Sequence, residues 1–168
     1  MAYENWHWLA AVIRAHPNGE VIGRTRLQKT VWLLQRMGLP TDYVYSLHFY
    51  GPYSEEVKAD MDSAEQLGLI SEDRRVAQHG SEYFVLRAQV SASLPSIDNF
   101  RRPLEILANE DATVLELAAT YDAFRKMGLD HASAIESLRA KKGDKCGNGR
   151  EQGALAVLKR LGLLVGGP

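Results

Sequence analysis

Four glycines set the frame of this chain. The phrases "RMGLP" (36–40), "QLGLI" (66–70), "KMGLD" (126–130) and "RLGLL" (160–164) each place Gly after a periodic apolar segment and Leu directly after the Gly. Glycine reaches the left-handed backbone conformation that closes an α-helix, and an apolar residue beyond it can fold back onto the last turn. Three of the four phrases carry Lys or Arg two residues before the Gly, where the negative end of the helix dipole favours a cation. Four helix ends are therefore marked by local chemistry alone. The segments that precede them do not resemble one another, so the phrases are not a sequence repeat.

Between these stops the remaining elements can be placed. A first helix is predicted over Asn5–Ala15 with Leu9, Val12 and Ile13 inward, broken by Pro17-Asn18-Gly19. "EVIG" (20–23) has room for one very short strand. After Gly23 a second helix points Leu27, Val31 and Leu34 to the core at i, i+4, i+7. "YVYSLHFY" (43–50) has the aromatic and β-branched character of a strand, and Gly51-Pro52 reads as the turn that follows it. On that strand His48 and Tyr50 would share a face. Ser54 then caps a third helix whose first turn holds Glu55 and Glu56, with Val57, Met61, Ala64 and Leu67 as its apolar stripe.

"LISEDRRV" (69–76) and "EYFVLRAQV" (82–90), joined by "AQHGS", read as a hairpin. This order, helix, short strand, helix, strand, helix, hairpin, is that of a winged helix with one extra strand. "SASLPS" (91–96) reads as a linker to helical segments at about 97–109, 112–127 and 131–141, a Gly-rich loop (143–153), and a last helix at 149–161. The predicted fold class is α+β, mainly α. It comprises a winged-helix-like core (1–90) with a small antiparallel hairpin, and an all-helical C-terminal extension (91–168) packed on it as one unit.

Composition narrows the function classes. The 168 residues carry a formal net charge of −1, so no whole-molecule field draws the chain to nucleic acid or a membrane surface. No apolar run approaches the ~18–20 residues of a membrane span, and the N-terminus has neither the basic lead nor the cleavage pattern of a signal peptide. One cysteine, Cys146, excludes an internal disulfide and fits a reducing, cytoplasmic setting.

The sequence carries little that reads as reaction chemistry. His7, His16, His48, His79 and His131 have no carboxylate or Cys at metal-ligand spacing, and His16 and His79 sit at turns where exposure is expected. Cys146 has no nucleophile motif, although Lys145 beside it would lower its pKa somewhat. "KKGDKCGNGREQGALA" (141–156) fails as a dinucleotide fingerprint, because a helix precedes it, and as a P-loop, because Arg150-Glu151 follow Gly149. A weak anion site at that helix start, with Lys141, Lys142, Lys145 and Arg150 nearby, is the most it offers. No metal, cofactor or catalytic residue is expected, and the chain is expected not to be an enzyme.

DNA binding in the usual winged-helix mode is disfavoured by charge. The third helix carries Glu55, Glu56, Asp60, Asp62 and Glu65 against Lys58 alone, a surface that phosphates would repel. The basic residues lie elsewhere, at Arg24, Arg26 and Lys29 on the second helix, Arg74 and Arg75 on the hairpin, and Lys141, Lys142, Lys145 and Arg150. They leave a nucleic-acid contact by a non-standard surface as the alternative reading.

"GRTRLQKTVWLLQRMGLP" followed by "YSLHFYGPYSEEVKADMDSAEQLGLI" resembles the YwgA-like proteins and the wider Panacea superfamily, the SocA-like antitoxin-associated domain. Leu27-Gln28-Lys29, Tyr50-Gly51-Pro52-Tyr53-Ser54 and Gly68-Leu69-Ile70 match the parts of that pattern in order. The helical tail "ELAATYDAFRKMGLDHASAIESLRAKKGDK" is similar to the YwgA-like branch, so the resemblance covers most of the chain. It implies an antitoxin that neutralises a toxin encoded by an adjacent gene, in a mobile-element or phage-related context, and carries no catalytic residue with it. The leading expectation is a non-enzymatic protein-interaction module, with Tyr50, Tyr53 and Trp32 as aromatic contacts and Arg24, Gln28 and Lys29 as polar neighbours. Pairing of two copies stays open.

Overall fold

The computed structural model describes residues 2–89 and 93–164. Helix α1 (Asn5–Ala15) leads through a 3-10 turn to strand β1 (Glu20–Ile22) and helix α2 (Arg24–Arg36). A small hairpin, β2 (Ser46–His48) and β3 (Gly51–Tyr53), precedes α3 (Glu55–Gln66). A longer hairpin follows, β4 (Ile70–Val76) and β5 (Glu82–Ala88). Four more helices complete the chain, α4 (Arg101–Ala108), α5 (Ala112–Lys126), α6 (His131–Lys142) and α7 (Arg150–Arg160). The fold is α+β and mainly helical.

β1, β5 and β4 form one antiparallel sheet in that order, with Val21 opposite Leu86 and Asp73 opposite Val85. α1 packs against β5 and α3, so the inward faces of this sheet and the first helices share a core. That core continues without a break into the C-terminal helices. α5 is its axis, packed against α2, β3, α6 and α7, with every residue from Val114 to Phe124 buried. Leu9, Leu27, Leu34, Met61, Leu115 and Leu158 belong to a single apolar cluster.

The four Gly-Leu phrases close their helices as expected. Gly38, Gly68, Gly128 and Gly162 all have φ between +73° and +106°. The Leu after each glycine donates its N–H to the carbonyl five residues back: Leu39 to Leu34, Leu69 to Ala64, Leu129 to Phe124, and Leu163 to Leu158. These are the hydrogen bonds of the Schellman closure.

Several expectations need correction. The segment 43–50 is not one strand. Tyr43–Tyr45 is irregular because its groups bond to side chains rather than to a ladder. The Val44 N–H donates to Glu56 at 2.7 Å, the Tyr43 N–H to Gln35 at 3.0 Å, and the Tyr43 hydroxyl to Asp60 at 2.8 Å. All three partners are polar acceptors on neighbouring helices, which an apolar reading of the segment does not see. Gly51-Pro52 is not the turn but the start of β3; the turn is Phe49–Tyr50. Leu67 sits at the C-cap of α3 and is exposed, since the stripe of Val57, Met61 and Ala64 ends one turn earlier. His16 is buried, not exposed, and its Nδ1–H donates to the Val12 carbonyl at 2.7 Å. The 97–109 helix is a 3-10 turn at 98–100 followed by α4, and the Gly-rich loop is a 3-10 turn (Gly143–Cys146) running almost directly into α7. Val90, at the end of the predicted second hairpin strand, and residues 91–92 of the predicted linker lie outside the described residues.

Candidate functional site

The residues of the sequence signature meet at the small hairpin. Gln28 and Lys29, adjacent on α2, reach across to the backbone of β3 and of Ser54, the residue that follows it. The Gln28 carboxamide donates to the Ser54 carbonyl at 2.9 Å and accepts from the Ser54 N–H at 3.0 Å, pairing with it as a neighbouring strand would. Lys29 donates from Nζ to the Pro52 carbonyl at 2.8 Å. Ser54 in turn caps α3 by accepting from the Val57 N–H at 3.2 Å. Gly51 is required twice over. Its φ is +100°, and a Cβ there would lie 2.7 Å from Thr120 Oγ1 on α5. "LQK" and "YGPYS" are thus two halves of one joint, whose floor is α5.

A second set of bonds fastens the hairpin turn. Lys142 donates to the Phe49 carbonyl at 2.8 Å and lies 3.4 Å from the Glu116 carboxylate. Lys145 pairs with the same carboxylate at 2.9 Å and sits 5.1 Å from the Tyr50 ring centre and 5.9 Å from that of Phe49, within cation–π reach. Lys142 and Lys145 therefore pair with one buried carboxylate, which acts on Lys29 at longer range. Burial pulls the Lys29 amine down to about 8, with Glu116 opposing and Lys142 adding to the depression. Lys142 is lowered by burial too, again against Glu116.

Alternation along the hairpin separates two cavities. Leu47 and Pro52, paired across the strands, face one side, while His48 and Gly51 face the other. On the His48 side a cavity of about 280 Å³ opens between α2, the hairpin and α3. Its charged wall is Arg24, Lys29 and Lys58, and its rings are Phe49, Tyr50 and Tyr53, with His48 stacked on Tyr53 at 4.8 Å. On the Leu47 side a cavity of about 390 Å³ is lined by Trp32, Tyr45, Val44, Lys126 and Met127 among others. Val44 and Met127 stand exposed at its edge.

The structure brings together five of the six residues expected to contact a partner. Arg24, Gln28, Lys29, Tyr50 and Tyr53 all line the first cavity. Trp32 does not join them. It is 6% exposed, donates its indole N–H to Asp122 at 3.0 Å, and packs edge-on against Tyr45 at 4.9 Å, so most of it is core. Gln28 and Lys29 are buried and bonded to the backbone of Ser54 and Pro52, and do not form a polar rim. Arg24 is held by Glu72 at 2.6 and 3.0 Å, which raises its already high pKa. The contributors that sequence reasoning missed are Phe49, Lys58, Glu116 and Thr120. The last two had one signal, polar residues inside the otherwise apolar run "TVLELAAT" (113–120).

The basic residues of the alternative reading do not converge. Arg26 donates to the Leu107 and Glu110 carbonyls, and Arg150 to those of Lys145 and Asp144. Arg74 pairs with Glu82, and Arg75 lies 3.9 Å from Glu20. Lys142 and Lys145 are turned to Glu116 and the hairpin, which also dissolves the anion site expected at the start of α7. Lys141 is exposed and makes no ion pair among the described residues. The Cys146 thiol is pushed up by burial, not lowered by Lys145. Among the described residues no group of His, Cys, Asp and Glu could hold a metal ion, and no helix is long and apolar enough to cross a membrane.

The chain is 39% identical over 70 residues to the "Uncharacterized protein YwgA" of Bacillus subtilis (strain 168). The match spans 42% of this chain and 40% of that protein, well under two thirds of the relative's length. Over that stretch the chain is YwgA-like. No family model matches it.

Proposed function

We propose that the protein is a non-enzymatic, cytoplasmic binding module that docks a protein partner through the Phe49–Tyr50 turn. One observation carries this reading: Phe49 is 75% exposed and Tyr50 54% exposed, yet the turn that presents them is tied down by Lys142 and Lys145. Exposed aromatic side chains on a pre-ordered loop lose little entropy on docking, and such residues dominate interface energetics. The exposed Val44 and Met127 beside the apolar cavity extend the candidate surface. The antitoxin role of the Panacea superfamily, with a toxin from an adjacent gene as partner, is the specific form we favour. The winged-helix reading is supported by the element order and by the sheet order β1-β5-β4.

Co-expression with the product of each neighbouring gene tests the proposal. Co-purification that is lost in Phe49→Ala/Tyr50→Ala is expected; failure of every neighbour to co-purify would overturn it. The alternative nucleic-acid reading has less behind it, because most of its arginines and lysines are spent on internal acceptors. A gel shift at low salt decides it, since phosphate contacts are strongest there.

A further inference from the structure

The first cavity holds a buried charge with no ion pair among the described residues. Lys29 is 2% exposed, and its one hydrogen bond among the described residues goes to an uncharged carbonyl, that of Pro52. No carboxylate of the described residues comes within ion-pair distance of its Nζ; Glu116 acts on it only at longer range and is itself engaged by Lys142 and Lys145. Lysine is almost never buried unless paired, since an uncompensated buried charge is costly. The remaining charged residues of the wall are cationic too. Arg24 is locked in place by Glu72, and Lys58 is exposed with no ion pair among the described residues. No Asp or Glu among the described residues lines the cavity. α2 also begins there, at Arg24 and Thr25, with no side-chain cap and no acidic residue in its first turn, so the positive end of its dipole adds to the field.

The rest of the lining is aromatic. Phe49, Tyr50 and Tyr53 offer flat surfaces around a volume of about 280 Å³, just below the roughly 300–1,000 Å³ typical of small-molecule pockets and suited to a single ring. We propose that this cavity binds a small ligand bearing an anionic group, carboxylate or phosphate, on a flat ring. Lys29 supplies the buried counter-charge, Lys58 the outer one, and Tyr50 with Phe49 the stacking wall. The depressed Lys29 amine fits a group whose partner arrives with the ligand. The proposal shares Phe49 and Tyr50 with the protein-docking reading but not Lys29 and Lys58, and binding of a small anion by the chain alone is read independently of any protein partner.

Isothermal titration of the full chain tests it with four probes: phenyl phosphate, benzoate, inorganic phosphate and phenol. Saturable one-to-one binding of phenyl phosphate or benzoate is expected, at least about tenfold tighter than inorganic phosphate or phenol; which of the two binds tighter identifies the anion. Lys58→Glu, at an exposed position, is expected to weaken binding about tenfold or more. Tyr50→Ala is expected to weaken the ring-bearing probes and leave inorganic phosphate unchanged. No saturable binding of either ring-bearing anion at millimolar concentration would overturn the proposal. So would equal binding by wild type and Lys58→Glu. Phenol bound as tightly as phenyl phosphate would overturn the anion assignment, and inorganic phosphate bound as tightly would overturn the ring assignment.

Discussion

The root and the tip of the β2–β3 hairpin are a few residues apart and obey different rules. At the root, Gly51, Pro52 and Ser54 are buried and every polar backbone group described above meets a designated partner on α2. At the tip, Phe49 and Tyr50 point outward and contribute little to the core. A phrase such as "FYGPYS" therefore mixes residues that the fold needs with residues that it merely displays. The difference teaches that Gln28 and Lys29, which look like polar surface on a basic helix, are structural, whereas Phe49, which looks like strand core, is not.

The contrast can be broken most severely at Gly51. Gly51→Ala combines an unfavourable φ with a clash against Thr120 and is expected to cost roughly 3–5 kcal/mol in chemical denaturation. Adding Thr120→Ala should recover the part due to the clash. A cost below about 1 kcal/mol would show that the root yields easily and would erase the distinction.

Lys29 gives the next largest effect, read against pH. In the unfolded chain its amine keeps its proton to about 10.5, whereas in the folded protein it releases it near 8. Between these values the unfolded state binds more protons, so stability rises with pH; the gain is complete above about 10.5 and lost as pH falls through 8. Relative to Lys29→Met, wild type is expected to gain about 3 kcal/mol over that window in denaturation midpoints converted to free energy. The comparison with Lys29→Met cancels the contribution of Tyr43 and Tyr45, whose phenols burial pushes up.

Gln28→Ala leaves the Ser54 N–H and carbonyl without partners and is expected to cost roughly 2–3 kcal/mol by the same assay. The smallest effect separates strain from clash. Gly128 has φ +103°, close to that of Gly51, but nothing lies within 4 Å of the place a methyl group would take there. Gly128→Ala is expected to cost only about 1–2 kcal/mol in thermal melts.

How far these regions can be read from sequence follows the range of their interactions. The helix ends are legible because a Schellman closure is local: Gly128 and Leu129 bond within their own last turn. α1, α2 and α3 fall into place for the same reason. The hairpin is misleading because its partners are distant, Gln28 and Lys29 about one helix away and Glu116, Thr120 and Lys142 far down the chain. Periodicity does not show that Gly51-Pro52 is a strand fastened by side chains from α2. The candidate site is half legible. Arg24, Gln28, Lys29, Tyr50 and Tyr53 do line one cavity, but their division into anchors and displayed residues requires the geometry, as does the demotion of Trp32 to core.

Amide hydrogen exchange at Ser54 tests the distinction most directly. In Gln28→Ala, exchange of the Ser54 N–H is expected to accelerate by about tenfold or more relative to the buried α2 amides, because its acceptor is gone. In Phe49→Ala/Tyr50→Ala it should keep the wild-type protection. Unchanged protection in Gln28→Ala, or lost protection in the tip variant, would contradict the division of this hairpin into a root that the fold needs and a tip that it displays.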